Sequence, residues 1–222
     1  MPAAPRLALI HALRHSPGPI AEAFARLWPE PPLMNLLDDS LSADLARAGS
    51  LTPAMTGRFL DLASYARRTG AEAILFTCSA FGPCIKAVKA AHPDIPVLKP
   101  NETMIEAALD AAPTGRIGLL ASFAATLPSM RPEFEAAARS RGSPLALAEA
   151  CAPAALAALD AGDGAGHDRH AADAARALAG CEVIALAQFS LARAARAVAA
   201  ATGRTVLTTP DSAVLKLRAL LA

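Results

Sequence analysis

The chain repeats itself at a spacing of 110 residues, and this internal repeat restricts the possible fold more than any other feature. Residues 70–79 read GAEAILFTCS, and residues 180–189 read GCEVIALAQF. Residues 6–10 match residues 116–120 at the same spacing. Because two such periods nearly fill the 222 residues, the sequence predicts two copies of one α/β unit.

Short apolar stretches alternate with longer helical patterns in each copy, as in parallel sheets covered by helices. The predicted fold class is therefore α/β, with two pseudo-symmetric lobes, each a roughly four-stranded parallel sheet flanked by helices, and an active-site cleft between them. The first lobe is predicted to comprise residues 1–100 plus 210–222, and the second residues 101–209. The predicted strands lie near Leu7–His11, Leu33–Leu37, Ala73–Thr77, Val97–Leu98, Ile117–Ala121, Leu145–Ala148, Val183–Ala187 and Val206–Leu207.

Several helix ends carry recognisable signals. Thr52 before Pro53 is typical of a helix start, and Gly70 is typical of a helix end. Asn101 and Asp211 each follow a proline and precede a helical pattern, so both are predicted to be N-caps. The predicted helices lie near Ile20–Leu27, Pro53–Thr69, Pro83–Ala91, Pro128–Arg141, Pro153–Asp160, His167–Ala179, Leu191–Ala201 and Ser212–Leu220.

The composition argues against several classes of partner. A net charge of +1 and a single Trp and Tyr do not favour nucleic acid or a membrane surface as a partner. The four cysteines lack paired spacing, so neither a disulfide framework nor a metal cluster is indicated. No segment resembles a secretory signal or a membrane span. We therefore expect a reduced, cytoplasmic protein, and leave open whether it forms a homo-oligomer.

Cys78 is the residue that most clearly indicates chemistry. It follows an apolar strand and precedes a turn at Gly82 and a helix beginning near Pro83. Ligands of parallel sheets bind at the carboxyl ends of the strands, and a helix N-terminus lowers the pKa of a nearby thiol. We therefore expect a reactive thiol here. The alternative is an inert cysteine that fills the end of an apolar strand.

The duplicated plan and the strand end TCSAFG, residues 77–82, resemble the aspartate/glutamate/hydantoin racemase superfamily, which includes maleate isomerase and arylmalonate decarboxylase. The resemblance extends over essentially the whole chain, including PVLKPNETM at residues 96–104 and RIGLLASFAATL at residues 116–127. It implies cofactor-independent chemistry at the carbon next to a carboxylate. In two-base members of this superfamily, one cysteine from each half flanks that carbon.

Cys78 matches the first of these cysteines, but Gln188 occupies the place of the second. A primary amide does not titrate near neutral pH, so Gln188 cannot act as the partner acid or base, although it can donate hydrogen bonds. One-sided chemistry at Cys78 is therefore favoured over symmetric proton exchange. The decarboxylase of the superfamily also uses one cysteine, but on the opposite side, and its tyrosine is replaced here by Phe123.

Other residues at the predicted strand ends are candidates for holding a carboxylate. The hydroxyl groups equally fit loop residues that cap helices. His11 could be a proton relay, but a lone histidine after an apolar strand is more often a hydrogen-bonded structural residue. The predicted substrate-binding residues are Ser79, Ala80, His11, Ser16, Ser122, Phe123, Thr126, Phe189 and Ser190.

Two further motifs carry no predicted chemistry. His167 and His170 lie three residues apart after GDGAG, residues 162–166, but no third metal ligand accompanies them, so a glycine-rich lead into a solvated helix is the simpler interpretation. Asp38 and Asp39 are predicted to form a turn before a helix capped near Ser40 or Ser42.

The main hypothesis is a racemase-superfamily enzyme without a cofactor or metal, which acts at the α-carbon of a small carboxylate with Cys78 as acid, base or nucleophile. The first alternative is a one-cysteine decarboxylase or lyase. The second is a non-catalytic carboxylate-binding protein that has lost the second thiol.

Overall fold

The computed structural model describes residues 4–124 and 126–221, and contains eight strands within them. All eight predicted strands are present, with ends that differ by at most three residues. The strands are β1 (Leu7–His11), β2 (Leu33–Leu37), β3 (Ala73–Phe76), β4 (Val97–Leu98), β5 (Arg116–Ala121), β6 (Ala146–Cys151), β7 (Val183–Leu186) and β8 (Thr205–Thr208).

Ten α-helices connect and follow these strands within the described ranges. Short 3-10 turns, at residues 79–81, 176–178 and 189–194, supplement them. The helices are α1 (Pro17–Leu27), α2 (Ser40–Ala48), α3 (Pro53–Arg68), α4 (Gly82–Ala91), α5 (Glu102–Ala111), α6 (Thr126–Arg141), α7 (Pro153–Asp160), α8 (Gly164–Ala175), α9 (Ala195–Thr202) and α10 (Thr209–Leu221).

The strands form two four-stranded sheets with the same topology. One sheet has the order β2-β1-β3-β4 and the other β6-β5-β7-β8, and every strand pair is parallel. The central strands β1, β3, β5 and β7 are almost entirely buried, which explains why they read as apolar runs without alternation. The predicted α/β class, with two four-stranded parallel sheets flanked by helices, is confirmed.

The repeated glutamates explain part of the internal similarity. Glu72 accepts a hydrogen bond from the backbone N–H of Arg6 at 3.1 Å, and Glu182 accepts one from that of Arg116 at 3.2 Å. Each glutamate thus ties the start of one central strand to the start of its neighbour. These matching residues stabilise the sheets and take no part in the predicted chemistry.

Contacts divide the chain into two compact units. The first unit extends to Pro100 and also includes the residues from Ala213 onward, whereas the second comprises Asn101–Ser212. Within the first unit, the rings of Phe59, Phe76 and Phe81 stack with centroid separations of 5.1 and 4.9 Å. They belong to the same apolar cluster as Cys78.

The helix signals at Thr52, Gly70 and Asn101 are confirmed, whereas those at Asp211 and at Ser40 or Ser42 are wrong, since the N-cap residue of α2 is Asp39. Thr52 caps α3 by accepting a hydrogen bond from the backbone N–H of Met55, and Gly70 follows the helix with a φ of +87°. Asn101 is the N-cap residue of α5. The Asp211 prediction was wrong, because α10 begins at Thr209 and Asp211 lies in its first turn. An acidic side chain in the first turn interacts favourably with the helix dipole but does not cap the helix.

The described part of the chain contains no helix with both the length and the apolar character that a membrane span requires.

We expect Gly115→Ala to destabilise the second unit more than Gly142→Ala. Both glycines have a positive φ, of +77° and +63°, which costs a side-chain-bearing residue about 1 kcal/mol or more. A Cβ atom at Gly115 would lie only 2.4 Å from the carbonyl oxygen of Pro144, whereas one at Gly142 meets nothing within 4 Å. Urea unfolding should therefore show an additional loss of roughly 2 kcal/mol for Gly115→Ala. Equal losses in the two variants would contradict the role assigned to this close contact.

Candidate active site

Cys78 lies immediately beyond the end of β3 and begins the path into the next helix. Its backbone is extended, with φ −125° and ψ 119°, and it is the N-cap residue of the 3-10 turn at residues 79–81. That turn leads directly into α4, where Pro83 occupies the first turn. The predicted junction of strand, turn and helix is therefore present.

The surroundings of the Cys78 thiol are apolar on one side and polar on the other. The side chain is only 9% exposed and belongs to the cluster that contains the three stacked phenylalanines. The backbone N–H of Ala80 and the hydroxyl of Ser42 lie on the polar side, where each acts to lower the pKa of the thiol. These polar contacts distinguish Cys78 from a cysteine that only fills space.

Ser42 connects the thiol to the end of β1. Its hydroxyl donates to the carbonyl oxygen of Ala12 over 2.7 Å. A hydroxyl carries one proton, so Ser42 can donate to a Cys78 thiolate only by turning its hydroxyl away from Ala12. Ser42 was not among the predicted site residues. In the sequence, Ser42 was considered only as a possible cap of the helix after β2.

Burial keeps Cys78 protonated. Desolvation raises the pKa of its thiol from 9.0 to about 11, against the smaller opposing effects of the hydrogen bonds from Ala80 and Ser42. The expectation of a lowered thiol pKa was therefore wrong. That expectation was based on the favourable electrostatics of a helix N-terminus. It left out the cost of removing a thiolate from water into an apolar cluster.

His11 lies at the end of β1 and is held from both sides. Its Nδ1 lies 2.8 Å from the Thr77 hydroxyl, and its Nε2 lies 2.9 Å from Oδ1 of Asn35. Burial lowers the pKa of the imidazole, although the Asn35 hydrogen bond partly opposes this. His11 is therefore neutral near pH 7, and its contacts support the residue that directly precedes Cys78.

Gln188 occupies the place in the second unit that Cys78 occupies in the first. Its backbone is also extended, with φ −140° and ψ 146°, and it also begins a 3-10 turn, at residues 189–194. Its side-chain oxygen accepts three hydrogen bonds, from the Ser122 N–H at 2.6 Å, the Ser122 hydroxyl at 3.0 Å and the Phe123 N–H at 3.3 Å.

These three donors determine which way the Gln188 amide points. Backbone N–H groups can only donate, so the atom facing them must be the carbonyl oxygen and not the nitrogen. The two N–H bonds of the amide consequently point elsewhere. Gln188 thus offers hydrogen-bond donors, while the donors of Ser122 and Phe123 are already satisfied by its oxygen.

The other predicted site residues lie in the turns that follow the same strand ends. Ser16 and Thr126 are both buried, and their backbone N–H groups close equivalent turns to Leu13 at 3.2 Å and Phe123 at 3.0 Å. Phe189 and Ser190 are buried in the turn after Gln188, whereas the ring of Phe123 is 44% exposed. Ser79 and Ala80 are partly buried in the turn after Cys78. Their proposed contacts with a substrate stay predictions.

The two histidines after the glycine-rich segment do not share a solvated face. His167 is completely buried and lies 2.9 Å from an oxygen of Asp168, so the prediction of a simple solvated helix was wrong at this residue. Within residues 4–124 and 126–221, no three His, Cys, Asp or Glu side chains are grouped closely enough to hold a metal ion.

The family model for the Asp/Glu/hydantoin racemases matches residues 19–217. The chain belongs to this family. No curated protein sequence matches it significantly.

Solved structures of racemases and of a decarboxylase share the fold. A glutamate racemase from Bacillus anthracis is 14% identical, with a TM-score of 0.76 over 99% of this chain and 82% of that one. An allantoin racemase from Klebsiella pneumoniae is 17% identical, with a TM-score of 0.71 over 98% and 87%. An arylmalonate decarboxylase is 17% identical, with a TM-score of 0.65 over 98% and 93%. At these identities the likeness extends to the fold alone.

We expect iodoacetamide to modify Cys78 slowly near neutral pH and progressively faster as the pH approaches about 11. The thiolate is the reactive form, and a thiol with this pKa is ionised in about one molecule in ten thousand at pH 7. Peptide mass spectrometry can follow the modification, with Cys78→Ala identifying the relevant peptide. A rate that levels off below about pH 8.5, the value of an ordinary cysteine, would contradict the assigned role of burial.

We expect His11 to reduce the stability of the protein in mild acid. Its pKa is lowered from 6.5 on folding, so the unfolded chain binds a proton more readily once the pH falls below 6.5. The free energy of unfolding should therefore fall from that pH down to the folded pKa. Urea unfolding of wild type and His11→Gln between about pH 7 and pH 5 measures this, because the variant lacks the titrating group. Parallel pH profiles would refute the prediction.

Proposed function

We propose that the protein is a cofactor-independent enzyme of this family that delivers a proton from Cys78 to the α-carbon of a small carboxylate, most simply in the decarboxylation of a substituted malonate. The observation that carries the proposal is the buried Cys78 thiol at the end of β3, whose pKa burial raises to about 11. A thiol of this kind is available as an acid at neutral pH, whereas it is almost never available as a base or nucleophile.

Proton delivery from such a thiol is chemically reasonable. The carbanion next to a carboxylate is a much stronger base than a thiolate, so a raised thiol pKa does not prevent the transfer. The backbone N–H of Ala80 can donate to the sulfur once it has lost its proton, and Ser42 can do so by turning its hydroxyl away from Ala12. Hydrogen bonds to the thiolate stabilise the charge that forms during the reaction.

The atoms and electrons of the decarboxylation balance without a redox partner. The bond between the α-carbon and one carboxylate breaks, carbon dioxide leaves, and the electron pair remains on the α-carbon and the second carboxylate as an enediolate. The S–H bond of Cys78 then breaks while the new C–H bond forms. The Cys78 thiolate regains its proton from solvent.

We assign to Gln188 the role of a hydrogen-bond donor to the substrate. Its oxygen is occupied by Ser122 and Phe123, so its N–H groups are the part of the amide that remains to bind a carboxylate or enediolate oxygen. The position of Gln188 in the repeat, equivalent to that of Cys78, supports this role. The absence of a titrating group at residue 188 disfavours racemisation, which needs a second acid or base.

Cys78→Ala should abolish the reaction while preserving the fold. In deuterated buffer, wild type should convert a 2-substituted malonate into a monoacid that carries one deuterium at the α-carbon and is a single enantiomer. The variant should lose at least about 1000-fold in kcat/KM, because the proton donor is removed. Chiral chromatography with mass spectrometry measures both outcomes, and circular dichroism checks the fold.

Cys84→Ala is the matched control, since Cys84 is a buried cysteine of the following helix whose sulfur contacts Thr56. It should retain activity. Equilibration of both enantiomers of an α-substituted acid by wild type, without loss of a carboxylate, would show racemisation and refute the one-sided mechanism. Thermal stabilisation by carboxylates without turnover would instead indicate a binding protein.

A further inference from the structure

A side-chain network connects α8 to the turn that follows Gln188. We propose that His167, Asp168 and Arg193 position Gln188 for the substrate by holding this turn in place, which makes Arg193 a positioning residue for the reaction. The assignment rests on the proposed function of Gln188 as a substrate donor. No residue of the network is assigned a direct contact with the substrate.

The turn itself provides limited stability to the backbone of Gln188. Residues 189–194 form a 3-10 turn, and the N–H of Leu191 donates to the carbonyl oxygen of Gln188 over 3.1 Å. Hydrogen bonds of this type have poorer geometry than those of an α-helix, and such turns are short. The position of the turn therefore depends strongly on its side chains, which include the buried Leu191 and the charged Arg193.

Arg193 forms a two-point contact with Asp168 on α8. Its Nε donates to Oδ1 over 2.9 Å and its Nη2 to Oδ2 over 3.3 Å. The side chains are 43% and 27% exposed, so the attraction by itself contributes little to overall stability. The planar two-point geometry nevertheless fixes direction as well as distance, which a single contact does not.

His167 holds the same carboxylate from the protein interior. The imidazole is completely buried, and its Nδ1 lies 2.9 Å from Oδ1 of Asp168. Burial alone would raise the pKa of Asp168, but the hydrogen bonds from Arg193 and His167 hold it below its ordinary value. Because a carboxylate only accepts, Nδ1 of His167 must carry the hydrogen. His167 and Nε of Arg193 thus share Oδ1 of Asp168, so the imidazole restricts the carboxylate that receives Arg193.

The absence of a side chain at Gly164 makes room for Arg193. A Cβ atom at this first residue of α8 would lie 2.5 Å from Nη2 and 2.7 Å from both Cζ and Nη1 of Arg193. Gly164 does not have a positive φ, so its backbone does not require glycine. The guanidinium group is the flexible end of its side chain, so alanine here should displace it at little cost to the fold.

Gly164→Ala is therefore a selective test, because it leaves Gln188 and all three network residues unchanged. The readout is the pair of side-chain NH2 signals of Gln188 in a ¹⁵N–¹H correlation spectrum, identified by their loss in Gln188→Ala. We expect Gly164→Ala and Arg193→Ala to shift these signals and to accelerate their exchange with solvent. With an active substrate, KM should rise about tenfold with a smaller change in kcat, since Gln188 binds the carboxylate in the ground state and the transition state alike.

Gly180→Ala is the matched control, because this glycine lies in the same unit, has no positive φ, and its Cβ would meet nothing within 4 Å. Its Gln188 signals should be unchanged. The positioning role is refuted if the Gln188 signals stay in place while the Arg193 Nε–H signal shows that the guanidinium has moved. Shifted Gln188 signals in a protein without detectable turnover would support the positioning role and reject the proposed function separately.

Discussion

The chemistry available at the end of β3 depends on how far the Cys78 thiol is removed from water. The sulfur lies against the apolar cluster that includes the stacked rings of Phe59, Phe76 and Phe81, and the thiolate form loses more hydration there than two hydrogen bonds restore. The same burial that makes the thiol a poor nucleophile keeps it protonated, as the proposed role of proton donor requires. A stronger helix-dipole effect or a less crowded strand end would have favoured the opposite role.

The two equivalent strand ends show how one backbone supports different chemistry. Cys78 and Gln188 have similar extended conformations, and each begins a 3-10 turn. In the first unit the side chain is a buried thiol with a raised pKa, which is consistent with the proposed role of proton donor. In the second, an amide oxygen already satisfies the donors of Ser122 and Phe123, so the available chemistry is hydrogen-bond donation. The repeat thus gives both units the same backbone position at the strand end, and the residue type at that position determines which chemistry is possible there.

Much of the fold could be predicted from the sequence because it depends on local patterns. Buried parallel strands read as short apolar runs, and Thr52 and Gly70 carry helix signals that depend on nearby backbone alone. Ser42 and the His167 network could not be predicted in the same way. Ala12 lies 30 residues from Ser42, and Arg193 lies 25 residues from its partner Asp168, so nothing in the local pattern specifies either contact. Asp211 was misplaced because caps and first-turn acids have similar sequence signals.

The sequence alone determined the duplicated α/β plan, the family resemblance, and the presence of one titrating and one non-titrating residue at equivalent positions. These properties follow from residue identity and spacing, which the sequence contains in full. Only the tertiary structure decided that burial raises the pKa of Cys78 and that the side-chain oxygen of Gln188 faces Ser122 and Phe123. Both properties depend on the environment, since a pKa reflects the loss of water around a group and an amide orients toward whichever donors the fold places beside it.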